Sequence, residues 1–309
     1  MEEERLAVNA STTLALRKLG RLLMGNKKRV RRNSAWRLHD YTSKSSPVIV
    51  GGCGRSGTTL LRVILDTHSH LCCGMESNLF LPRSIKPKVM EFKYEIPATD
   101  VARMLDTCDS QAEFIDQFFA AYCAKCNKQR WAEKTPNNVL HMDYIFKHFP
   151  EARFIHMIRD GRDTVCSLRT HPSRKVIDGK VTELNTRNPI EDCIARWVTT
   201  VNAGLRYRGD PRYYELRYED LIRDDETTLK GLFAFVGEPW EPSILDYHRN
   251  RDGSRDATKN ALHPGIHKPI TKTSEGRWRK DLSKEEMDVF KKSAGELLIK
   301  LGYAENNDW

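Results

Sequence analysis

Hydrophobic positions along this chain alternate between short unbroken runs and runs spaced three and four apart. Val48-Ile49-Val50, bounded by Pro47 and two glycines, predicts a buried strand. Leu60, Leu61, Ile64 and Leu65 then fall on one side of a helix, so the order is strand, glycine-rich loop, helix. Residues 110–127 predict a helix, 130–136 a short strand, and 139–149 a helix stopped by Pro150. ARFIHMIR, 152–159, is the second clear strand, followed by a helix over 160–171 with Asp160 as its N-cap. Residues 171–189, rich in Pro, Gly, Lys and Asn, predict a loop. A helix over 189–208 starts with Pro189 in its first turn. YYELRYEDL, 213–221, predicts a third strand running into a turn, and 229–237 a helix closed by Gly237. Residues 249–276 are polar and aperiodic, a long loop. A last helix runs from about Ser283 to its stop at Gly302.

This alternation predicts an α/β fold with a central parallel sheet flanked by helices on both faces, three layers in all. No internal repeat or linker divides it. Residues 47–309 read as one domain and residues 1–46 as an N-terminal extension. Within that extension, residues 12–32 are amphipathic and end in a basic run. They read as a helix and solvated tail, with a membrane-surface or partner contact as the alternative.

With 39% hydrophobic and 30% charged residues among 309, the chain is globular rather than disordered. Its net charge of +9 fits an anionic ligand. A nucleic-acid module is disfavoured, because no dense basic-aromatic signature accompanies the charge. No apolar run is long enough to span a bilayer. The start, MEEERLAVNASTT, is acidic and does not read as a secretory signal, so the expected location is the cytoplasm. Eight cysteines are scattered, with Cys72-Cys73 adjacent and Cys123 and Cys126 forming one CxxC. A zinc site needs a second ligand pair, which is missing, so no metal site is expected. Cys123 and Cys126 read as one face of a helix, with a redox pair as the alternative. The pattern suits a reducing compartment.

The chemistry starts at GGCGRSGTTLLRVILD, 51–66. It has the form of a phosphate-binding loop in which Thr58 stands where the usual lysine would be. Glycines let the loop turn its N–H groups toward an anion, and the following helix adds its positive end. Arg55 supplies a cation from inside the loop, and Thr58 and Thr59 supply hydroxyls. Without the lysine a nucleoside triphosphate is poorly neutralised. A phosphosulfate fits better. In FIHMIRDGRDTVCSL, Arg159 ends a strand and Ser167 lies about two helical turns on, so both can face one crevice and hold a second phosphate.

Together GRSGTTLLR and IRDGRDTVCS resemble the two nucleotide motifs of sulfotransferases that use 3′-phosphoadenosine 5′-phosphosulfate, PAPS. LDTHSHLCCGMES, EKTPNN, RWVTTVN, LRYEDL, HKPITKTSEGRW and KLGY follow in order, so the resemblance covers roughly 47–303 and is greatest to the tyrosylprotein sulfotransferase branch and its bacterial relatives. It implies a P-loop-type fold. It implies Arg55, Ser56, Gly57, Thr58 and Thr59 around the 5′-phosphosulfate, Arg159 and Ser167 on the 3′-phosphate, Tyr218 at the donor, and Lys268 with the loop up to Trp278 closing over the adenosine end. Glu76, in GMESN, matches the residue assigned as base, and Lys134 and Arg55 would stabilise charge on the transferred group. The implied acceptor bears a hydroxyl (peptide tyrosine, sugar, lipid or small phenol), and the product is 3′,5′-ADP. Two positions depart from the branch. Asn78 replaces the arginine that follows the base segment, and Ala132 replaces the cysteine that would pair with Cys73. The branch's Golgi membrane anchor is not seen in this sequence either; a trimmed chain would look the same, which makes the Golgi lumen the alternative location. The alternatives are a P-loop nucleotide kinase, disfavoured by Thr58, and a non-catalytic anion-binding module. The acceptor pocket is expected among 75–100, 170–190 and 249–265, the least patterned stretches, and nothing in the sequence speaks to oligomeric state.

Overall fold

A computed structural model describes residues 34–170, 173–177, 180–184, 187–249 and 275–309. Helix α1, Ser34–Leu38, leads into strand β1, Val48–Gly52, which carries no exposed residue. Its side chains alternate between two apolar layers, as the strand period requires. Ile49 faces α5, Gln111–Cys126, together with Cys72, Trp131 and Phe154. Val48 and Val50 face α2, Thr58–Thr67, through Leu61, Ile64 and Leu65.

The sheet contains β1, β2 (Leu71–Cys73), β3 (Arg130–Lys134), β4 (Arg153–Ile158) and β7 (Tyr213–Arg217) in the order β2-β3-β1-β4-β7. Every pairing in it is parallel. Helices cover both faces, which is the three-layer α/β arrangement that the alternation predicts. Between β2 and α5 lie α3, Pro87–Tyr94, and α4, Ala98–Thr107. After β3 come a 3₁₀ turn and α6, Met142–His148. After β4 comes α7, Gly161–Arg169, whose N-cap Asp160 accepts the Arg162 N–H at 2.8 Å.

Several elements differ from the sequence expectation. Within the expected loop 171–189, strands β5 (Ser173–Ile177) and β6 (Lys180–Leu184) form an antiparallel pair. Asp178-Gly179 separates them, a dipeptide that signals a two-residue hairpin. The loop-like composition around it outweighed that signal. The expected third strand ends at Arg217, and Tyr218 begins a helix, α9, Tyr218–Arg223. Helix α3 buries only Met90 and Tyr94, and α4 only Val101 and Leu105, so each carries too few apolar positions to show a period.

The chain continues through α8 (Ile190–Leu205), α10 (Asp225–Val236), α11 (Trp278–Asp281) and α12 (Lys284–Lys300). Helix α12 opens with a capping box between Ser283 and Glu286. Residues 34–46 pack along α5: Trp36 Nε1 donates to the Cys108 carbonyl at 3.0 Å and Tyr41 Oη to Asp116 at 2.9 Å. Among the described residues no helix is long and apolar enough to cross a membrane. The amphipathic stretch 12–32, Lys268 and all but the two ends of the expected 249–276 loop lie outside the described residues.

His156 of β4 is fully buried, with Nδ1 2.7 Å from the Tyr213 hydroxyl. Burial pushes its pKa down to about 4; Glu215 opposes that shift and Arg208 adds to it. A depressed pKa means stability that is present above the ordinary value of 6.5 and lost as pH falls toward 4. Urea melts should therefore show the wild type losing up to about 1.4 kcal/mol per pH unit in that window. The His156→Asn chain should lack that part of the slope.

Candidate active site

Parallel pairing puts the carboxyl ends of β1, β3 and β4 at one edge of the sheet. The glycine-rich loop, Lys134 and Arg159 therefore start from neighbouring strand ends. In the loop, Arg55 and Gly57 both take left-handed backbone conformations, at φ 74° and 95°. Gly57 is required twice over, because a Cβ there would come within 2.5 Å of the Tyr218 ring. Gly57 also stands at the N-cap of α2 with no side-chain cap, so the first N–H groups of α2 have no side-chain acceptor from the cap residue. The Ser56 hydroxyl is buried beside them and has no hydrogen-bond partner among the described residues. Thr58 is buried at the first helical position.

Three arginines converge behind this loop. Arg55 Nε donates to Ser167 Oγ at 3.1 Å, which brings the two sequence motifs into direct contact. Arg159 Nη1 donates to the Arg55 carbonyl at 3.2 Å, and its guanidinium lies 4.6 Å from the centre of the Tyr218 ring. Arg277 completes the set. Burial first, then the charges of Arg159 and Arg277, pulls the Arg55 pKa below its ordinary value. Arg277 is held in place by its neighbours, because buried Asp163 accepts the N–H groups of Gly276 at 2.7 Å and Trp278 at 3.0 Å. Asp160 and Arg162 pair with each other at 2.7 Å as a local ion pair, and Asp160 also caps α7.

A second group forms at the end of β3. Lys134 Nζ contacts Glu76 Oε1 at 2.6 Å and Thr59 Oγ1 at 3.3 Å, so one ammonium links the loop to the carboxylate. Lys134 is buried and Glu76 is 44% exposed, so the carboxylate can meet a molecule arriving from solvent. The turn that carries Glu76 hangs on Glu133. Glu133 Oε1 accepts from Ser77 N at 3.1 Å, Ser77 Oγ at 2.8 Å and Thr135 Oγ1 at 2.6 Å, and Oε2 accepts from Asn138 Nδ2. Lys93 and the Tyr94 hydroxyl donate to the carbonyls of Glu76 and Met75. Burial pushes the Glu133 carboxyl up, and these four hydrogen bonds pull it back toward the ionised form.

The structure thus joins Arg55, Arg159, Ser167, Tyr218 and Gly57 in one cluster and Glu76, Lys134 and Thr59 in another. Sequence reasoning missed Glu133 and Lys93, and covered Arg277 only within the segment from Lys268 up to Trp278, without singling it out. A glutamate two positions after Trp131 in a predicted strand, and so on the same face as that apolar ring, was a usable signal for Glu133. Lys93 depends on a contact across 17 positions.

A model of the sulfotransferase family matches residues 47–242. A Drosophila melanogaster protein-tyrosine sulfotransferase is 28% identical over 68% of this chain, which spans 42% of that relative's length. Protein-tyrosine sulfotransferase 1 of Danio rerio is 27% identical over 84% of this chain and 73% of its own. Among solved structures, the sulfotransferase domain of the Synechococcus PCC 7002 olefin synthase has a TM-score of 0.54 at 22% identity, covering 83% of this chain and 96% of its own. A mouse sulfotransferase complexed with PAP has a TM-score of 0.52 at 14% identity, covering 84% of this chain and 86% of its own.

Replacing Glu133 by Ala strands several buried donors at once. The expected cost is about 3 kcal/mol of stability in denaturant titration. Glu133→Gln, which keeps one acceptor oxygen, should recover part of it.

Proposed function

This chain belongs to the sulfotransferase family, and we propose that it transfers a sulfuryl group from PAPS to an acceptor hydroxyl, releasing 3′,5′-ADP. One observation carries the reading. Lys134 bridges the glycine-rich loop and Glu76, beside a cluster of arginines that faces the same loop.

The residues present fit the donor. A buried Ser56 hydroxyl without a partner among the described residues, helix N–H groups without a side-chain cap and an Arg55 guanidinium buried near two other arginines are all features that an anion would satisfy. Arg159 and Ser167 would hold the 3′-phosphate, and the loop from Ser56 to Thr59 the 5′ end. Arg55 bonds Ser167 in this structure, which supports a role between the two anionic ends. Tyr218, against both Arg159 and Gly57, fixes the shape of the crevice. Lys268 is proposed at the adenosine end from the resemblance alone.

When bound, the donor supplies an electrophilic sulfur whose bond to the 5′-phosphate oxygen breaks as the acceptor oxygen attacks. Glu76 takes the acceptor's proton. A carboxylate near pKa ~4.3 and a phenol near ~10 are poorly matched in the ground state, so proton transfer accompanies sulfuryl transfer. Lys134 both orients Glu76 and places positive charge beside Thr59, where charge grows on the leaving phosphate. The relatives' names support a tyrosine-type hydroxyl as acceptor. Asn78, in place of the family arginine, donates instead to the Glu76 carbonyl at 3.4 Å, so it helps form the turn. All eight cysteines are buried thiols, and the reducing, cytoplasmic setting is proposed from their scatter along the sequence.

The test is turnover of PAPS with a panel of phenols and tyrosine peptides. Glu76→Gln should lower kcat by ~10²–10⁴-fold and leave the affinity for 3′,5′-ADP unchanged. Near-wild-type kcat in that variant would remove Glu76 as the base. Absence of transfer from PAPS by the wild type to every acceptor would leave a binding module.

A further inference from the structure

The mechanism above uses none of the eight cysteines, yet two of them nearly touch. Cys72 Sγ of β2 and Cys123 Sγ of α5 are 3.1 Å apart. The strand period explains why Cys72 and not its neighbour meets the helix. Cys72 points into the layer that contains α5, and Cys73 points into the layer on the other face of the sheet. Cys126, one helical turn beyond Cys123, also hydrogen-bonds Cys72. The CxxC of α5 therefore has its partner on β2, outside its own helix.

We propose that Cys72 and Cys123 are a reversible disulfide site, a redox clasp beneath the turn that carries Glu76. A sulfur separation of 3.1 Å needs only about 1 Å of closure to reach bonding distance. The two positions are 51 residues apart, and that span contains Gly74, Met75, Glu76 and the whole of α3 and α4. Closing it ties the base-bearing turn to the helix behind it. The oxidant is a hydroperoxide. The Cys123 thiol, slightly more exposed than the fully buried Cys72, reacts first. Its sulfur bonds to one peroxide oxygen, the O–O bond breaks, and water leaves. The Cys72 sulfur then bonds to the Cys123 sulfur, the S–O bond breaks, and a second water leaves. Two thiols lose two electrons and two protons, and hydrogen peroxide becomes two waters. Neighbouring thiols and burial hold Cys72 protonated, so the pair stays reduced until the oxidant arrives.

The experiment uses the full chain, reduced and then treated with hydrogen peroxide. Remaining thiols are alkylated and the digest is mapped by mass spectrometry without reductant. The expected product is a peptide pair linked through Cys72 and Cys123. It should persist in Cys126→Ser, disappear in Cys72→Ser and be released by dithiothreitol, and the oxidised wild type should melt at a higher temperature than the reduced. A Cys123–Cys126 link overturns the proposal. So does full alkylation of Cys72 after oxidation of other thiols, or no linked peptide at any peroxide concentration that the fold survives. Mapping the wild type alone decides the main question, so the result does not depend on a variant's folding.

Discussion

The site depends on one constraint: β1 is a fully buried central strand, paired in parallel with β3 on one side and β4 on the other. Parallel pairing forces all three chains to leave the sheet at the same edge. Register then fixes the spacing. Val50 pairs with Lys134 and with Ile155, so the glycine-rich loop rises next to both Lys134 and the end of β4. At Gly52 the backbone passes so close to the Met157 carbonyl that a Cβ would sit 2.3 Å from it. No side chain fits there, and the loop begins tight against its neighbour.

The second constraint is electrostatic. Arg55, Arg159 and Arg277 lie near one another, and Arg55 is pulled toward its neutral form by burial and by the other two. Asp281 already pairs with Arg277, and on the proposed function an anionic ligand would relieve the repulsion that remains on Arg55. Glu76 pairs with Lys134, so the two clusters differ in charge balance: the proposed function gives one the anion and the other the base. Asp163 and Glu133, both buried, serve as anchors. Each accepts hydrogen bonds from residues next to a candidate site residue, Arg277 in one case and Glu76 in the other.

Much of this was legible in the sequence because it is local. The strand-loop-helix at 48–67 and the Arg159–Ser167 pair each lie within one short stretch, where periodicity and residue type are enough. Glu76 and Lys134 were reached only through family resemblance, since 58 positions separate them and each alone reads as an ordinary surface charge. Arg277 was reached the same way, within the segment up to Trp278, but was not singled out. The hairpin at 173–184 was a different kind of miss: its Asp-Gly turn signal was present and was outweighed by composition. Helices α3 and α4 bury two residues each, too few for any period to emerge. Cys72 and Cys123 belong with the long-range contacts, because only the fold shows that the CxxC faces β2.

The central claim is that fixed cations at these strand ends recognise a nucleotide with separate 3′ and 5′ anionic groups. Isothermal titration of the chain with 3′,5′-ADP, against ADP with Mg²⁺, tests it most directly. The account predicts tight binding of 3′,5′-ADP without added metal, and its collapse in Arg159→Ala. Preference for ADP with Mg²⁺, or 3′,5′-ADP affinity unchanged in Arg159→Ala, would contradict it.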